Sequence, residues 1–92
     1  MSLFDFVLTW FKHVVVFDFE YRQQEGNNPE PVCVGCKDLK TGKSWKQWLV
    51  GRKLKFPYPL QETLFICHNA VAEVSCMLEL GWGQPDYIWD TM

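Results

Sequence analysis

The sequence predicts a small α/β domain on a mixed sheet, a three-strand antiparallel meander followed by a strand–helix–strand unit. Three observations carry this. β-branched and aromatic residues run together in "HVVVFDFEY", "VCVGCKDL", "SWKQWLV" and "TLFICH", the make-up of half-buried strands. Turn-forming residues separate the first three runs closely enough to join neighbours. After the fourth run the apolar spacing changes from that of a strand to that of a helix. The 92 residues, 48% apolar with five tryptophans, make one folded domain, 1–92, of a size at which a single core gives modest stability.

Residues 2–12, "SLFDFVLTWFK", set Asp5, Thr9 and Lys12 on one helical stripe and leave the rest apolar. The expectation is an added apolar N-terminal segment, 1–12, folded as a short helix with a broad greasy face. It either covers the domain's own sheet or docks on a partner or a second copy. The first strand then carries Asp18 and Glu20. Side chains two apart share a strand face, so two carboxylates stand side by side in a sheet, where unpaired charge is costly.

"RQQEGNNPEP" reads as a turn and "KTGK" as a tight turn in which Gly42 supplies positive φ. "GRKLKFPYPLQE" is a loop. Asn69 is the expected N-cap of a helix over "AVAEVSCMLEL", with Val71, Val74 and Leu78 as its apolar stripe and Gly81 as its stop. A fifth strand is expected at 87–89.

Net charge is −2, but seven of the nine Lys and Arg lie between Lys37 and Lys55, with Asp38 the one acid among them. Lys37, Lys40, Lys43, Lys46, Arg52, Lys53 and Lys55, interleaved with Trp45 and Trp48, suit either a nucleic-acid backbone or the solvated face of a hairpin. The N-terminus has no basic stretch and carries Asp5, which points to a reducing, cytoplasmic setting. No apolar run approaches the roughly 20 residues of a membrane-spanning helix. "CVGC" has zinc-knuckle spacing, with Cys67, His68 and Cys76 as completing ligands. On a strand, however, Cys33 and Cys36 fall on opposite faces, so buried free thiols are expected.

Asp-x-Glu on a first strand, a meander, then a strand–helix unit with a further acid in its first turn form a specific arrangement. It resembles the DEDD superfamily of 3′–5′ exonucleases, and within it the proofreading domain of phage and bacterial family A DNA polymerases. "FDFEYR" matches the first motif. "CHNAVAEV" matches the second, His-Asn followed by a helical acid, with Glu73 where the family has Asp. "IWDTM" is similar to the segment that follows, so the likeness spans about residues 14–92.

The resemblance implies a ribonuclease H-like fold and two Mg²⁺ or Mn²⁺ ions roughly 3.5–4 Å apart, stabilising both oxygens of a phosphodiester displacement. It implies Asp18, Glu20 and Glu73 as catalytic metal ligands and a single-stranded DNA 3′ end as substrate, for which His68 and Asn69 of the second motif, with Lys40, Lys43 and Lys46 of the basic stretch, are the expected contacts. The family's third motif, a Tyr or His four residues before a final Asp, is not among these residues, and Asp90 reads as structural. The expectation is therefore a truncated domain with little nuclease activity alone, set in a bacterial or phage-infected cell. The other reading is a stand-alone, phage-type binding or inhibitor protein that engages a protein or nucleic-acid partner through the same fold.

Overall fold

The computed structural model describes residues 2–51 and 55–92. In chain order the elements are α1 (Leu3–Trp10), β1 (His13–Arg22), β2 (Glu30–Asp38), β3 (Ser44–Trp48), β4 (Thr63–Cys67), α2 (Ala70–Glu79) and β5 (Tyr87–Asp90). The strands form one five-stranded sheet in the order β3–β2–β1–β4–β5. β1–β2 and β2–β3 are antiparallel, whereas β4 runs parallel to β1 and β5 parallel to β4. The protein is a small mixed α/β domain, and the expected meander and strand–helix–strand unit are both present.

Strand alternation divides the sheet into two unlike faces. Val15, Phe17 and Phe19 of β1, Val34 and Cys36 of β2, and Phe65 and Cys67 of β4 are buried with Cys76 and Met77 of α2. Phe56, from the loop before β4, seals this core with edge-on contacts to Trp45, Phe65 and Trp82 at 5.9, 5.4 and 4.8 Å. The intervening residues of β1, Val16, Asp18 and Glu20, are exposed on the other face, as are Lys37, Ser44, Lys46 and Trp48. Asp18 and Glu20 thus avoid the cost of an interior: they do share a face, and that face is open to water.

The turn before β3 depends on special backbone chemistry. Gly42 has φ 78° in the β2–β3 turn. Buried Asp38 organises the same turn, its Oδ1 accepting from the Lys40 and Thr41 amides at 2.9 and 3.2 Å and its Oδ2 from the Tyr58 hydroxyl at 3.3 Å.

The structure changes two sequence expectations about α2. Val71 and Leu78 point outward, 79% and 54% exposed, and the helix buries Glu73, Cys76 and Met77 instead. Two polar anchors set this rotation against the apolar pattern. Asp90 of β5 accepts from the Asn69 and Ala70 amides at 3.1 and 2.9 Å, and Glu73 accepts from the Phe19 amide on β1. The N-cap chemistry therefore comes from Asp90. Asn69 makes no side-chain cap bond and sits at φ 69°, ψ 73°, left-handed geometry that Asn tolerates better than most residues.

α1 starts as its composition suggests. Ser2 and Asp5 form a reciprocal capping box, at 3.1 Å from the Asp5 amide to Ser2 Oγ and 3.3 Å from the Ser2 amide to Asp5 Oδ2. None of its residues is buried. No helix among the described residues is long and apolar enough to cross a membrane.

Candidate functional site

The parallel pairing of β1 with β4 runs from His13↔Thr63 to Val16↔Ile66, and β1 continues past it to Arg22. The two strands part there, so the Phe19 amide has no ladder partner on the β4 side. Only His68 and Asn69 separate the end of β4 from α2, whose first turn lies over this opening. Glu73 closes it: its Oε2 accepts from the Phe19 amide at 2.9 Å. A buried amide and a buried carboxylate are satisfied together.

That bond carries Glu73 from the core side of the sheet to its neighbours on the open side. Glu73 is 3% exposed. Burial pushes its carboxyl up to about 7, and repulsion from Asp18 and Glu20 adds to this, while the Phe19 amide pulls the other way. The three acids singled out by the sequence therefore act on one another across the gap between β1 and β4. A β-bulge between Glu20 and Tyr21 then shifts the pairing with β2, so the acids stand where the ladder turns irregular.

The other sequence-chosen residues divide. Lys46 joins Asp18 in a groove of about 530 Å³ on the open face, floored by Gly35 and flanked by Lys37 and Ser44. Lys43 is exposed in the β2–β3 turn. Lys40 is used elsewhere, its Nζ donating to the Phe11 carbonyl at 2.9 Å just beyond α1. His68 is exposed, with Nδ1 3.3 Å from Thr91 Oγ1. Asn69 contributes its amide to Asp90. Trp45 and Trp48 lie on opposite faces, Trp45 against the core and Trp48 64% exposed. Arg52 and Lys53 lie outside the described residues.

The zinc-knuckle spacing of "CVGC" does not form a turn. β2 runs unbroken through "CVGC", and all four cysteines are free. Burial pushes Cys36 and Cys76 up to about 12 and Cys67 to about 11, with Asp38, Glu73, Glu79 and Asp90 adding repulsion. Neutral thiols are poor ligands. The oxygen donors suit a hard divalent cation better, because a cation would relieve the repulsion recorded in the Glu73 carboxyl. Among the described residues no three His, Cys, Asp or Glu side chains converge closely enough to hold an ion. Asp18 and Glu20 lie near enough to Glu73 to repel it, without closing on a common point.

Asp38 is a polar residue whose role the sequence left unread, and Asp90, read there as structural, holds the start of α2. Only the register of distant strands reveals what Asp90 holds. No family model, no characterised protein and no solved structure matches the chain.

Proposed function

We propose that residues 1–92 form a ribonuclease H-like, DEDD-type exonuclease domain carrying the first two acidic motifs, with little nuclease activity of its own. The observation that carries this reading is buried Glu73, reaching from the first turn of α2 to the Phe19 amide between Asp18 and Glu20. The strand order β3–β2–β1–β4–β5, with only β2 antiparallel to its neighbours, agrees with it. Asp18 and Glu73, with Glu20 next to them, would hold Mg²⁺ or Mn²⁺, which when bound supplies charge to a phosphodiester's oxygens. Lys46 shares a groove with Asp18 and suits the backbone of a single-stranded DNA 3′ end, with Lys43, His68 and Asn69 as outlying contacts.

The third motif's base and acid are not among these residues, so binding exceeds chemistry. α1 favours a second element of the reading: with no buried residue and a run of large apolar side chains, it suits a second copy of the chain or a protein partner.

The test is a melting series. Millimolar Mn²⁺ raises Tm by mass action, at roughly 4–8 °C per kcal/mol of linkage for a domain of this size. Asp18→Asn raises the metal-free Tm and abolishes the Mn²⁺ increment. With Mg²⁺ the wild-type chain degrades a single-stranded oligonucleotide negligibly. Identical melting with and without Mn²⁺ would overturn the metal reading, and 3′ trimming lost in Asp18→Ala would establish a full enzyme.

A further inference from the structure

We propose that β5 is the seam at which a second copy of this chain joins, strand antiparallel to strand, so that two five-stranded sheets continue as one. The proposal rests on the reading that the chain associates with itself, and it names the surface. The sheet has two edges, β3 and β5. Lys43 precedes β3 and Lys46 lies within it, the charges that discourage strand addition. The charges of β5 are acidic, Asp86 just before it and Asp90 within it, and the Asp90 carboxylate is held by the Asn69 and Ala70 amides. Residues 81–92 contain no Lys or Arg, and Tyr87, Ile88 and Trp89 are 46%, 38% and 47% exposed.

The phase of β5 is fixed by one bond. The Thr91 amide donates to the Cys67 carbonyl at 2.9 Å. Backbone groups alternate sides along a strand, so Tyr87 and Trp89 also face β4, and Ile88 and Asp90 present their amides and carbonyls outward. An antiparallel copy must pair these outward residues. With Trp89 on the two-fold axis, Ile88 lies opposite Asp90 in both directions, Tyr87 opposite Thr91, and no acid faces an acid. With Ile88 on the axis, Asp86 faces Asp90, and like charges oppose each other. Charge therefore selects the Trp89-centred register. Asp90 can occupy it because its carboxylate is already turned toward α2.

The helix extends the seam. Phe11, just after α1, packs edge-on against Tyr87 with ring centroids 5.1 Å apart, so the apolar surface of α1 runs onto the β5 edge. A second copy thus gains main-chain hydrogen bonds and apolar area together. An isologous pair of this kind closes on itself, whereas β5 against the lysine-guarded β3 edge would build an open fibre.

The experiment combines light scattering with amide hydrogen exchange. The wild-type chain at high concentration shows twice the 10.9 kDa single-chain mass. The Ile88 and Asp90 amides exchange roughly tenfold more slowly there than in dilute solution. Trp89→Lys sets like charges across the axis and returns the single-chain mass with an unchanged circular dichroism spectrum. Ile88→Lys, at an independent position on the edge, does the same. A dimer whose Ile88 and Asp90 amides exchange freely overturns the seam and leaves association standing. A single-chain mass at every concentration overturns both.

Discussion

Glu73 is where the physics of single residues is most concentrated. Its carboxyl titrates near 7 in the folded chain against an ordinary value of 4.5. Asp18 and Glu20 face it from β1, Cys67 from β4 and Cys76 from its own helix, and none of them is a cation. Between those two values the folded chain holds a proton that the unfolded chain has released. The Glu73 contribution to metal-free stability is therefore fully present below about pH 4.5, falls as pH rises through the window, and is lost above 7. The loss is up to about 3 kcal/mol. Glu73→Gln keeps an oxygen for the Phe19 amide and carries no charge, so its Tm should stay level from about pH 5 to pH 8 while the wild type's falls. Parallel curves for the two proteins would show that Glu73 is not the group responsible. The sequence named this acid through its spacing from His68 and Asn69, but not its partner, since the Phe19 amide is freed only by the parting of β1 and β4.

Among the elements, α2 shows how tertiary anchors override local pattern. Its apolar letters favoured the stripe Val71–Val74–Leu78, yet the buried stripe is Glu73, Cys76 and Met77, because Asp90 and Phe19 fix both ends of the first turn. Strands were more legible. Alternation in β1 and the glycine at 42 follow from steric rules that act within a few residues, whereas the rotation of a helix depends on what lies beneath it. The N-terminal junction gives the test. Asn69 contributes backbone geometry and no side-chain cap, so Asn69→Gly should preserve stability or raise it by up to about 1 kcal/mol, relieving the left-handed strain. Asn69→Ala should lower stability by about 1 kcal/mol, since alanine has no easy access to that geometry. Asp90→Ala should lower Tm because the Asn69, Ala70 and Met92 amides lose their acceptor. Equal losses for Asn69→Gly and Asn69→Ala in urea titrations would return the capping role to the Asn69 side chain.

For the molecule as a whole, α1 is the element whose place is least explained by the chain's own core. The sequence left two fates for its apolar face, burial on the domain's sheet or association. Its exposures favour the second: Leu3, Phe4, Phe6 and Trp10 are 76%, 50%, 50% and 71% exposed. Phe6 and Trp10 stack on each other at 5.7 Å, and the Lys40 bond to the Phe11 carbonyl and the Phe11–Tyr87 contact tether the end of the helix. Charge at exposed positions costs a monomer little, usually within about 0.5 kcal/mol, so Phe6→Asp with Trp10→Asp should leave the melting of the separate chain nearly unchanged. In an assembly the same two carboxylates would be taken from water into an apolar contact without compensation. The double variant should therefore give a smaller particle by light scattering while keeping the wild-type circular dichroism spectrum. Unfolding of the double variant would mean that α1 is part of the domain's core, and an unchanged assembly mass would place the contact away from this helix.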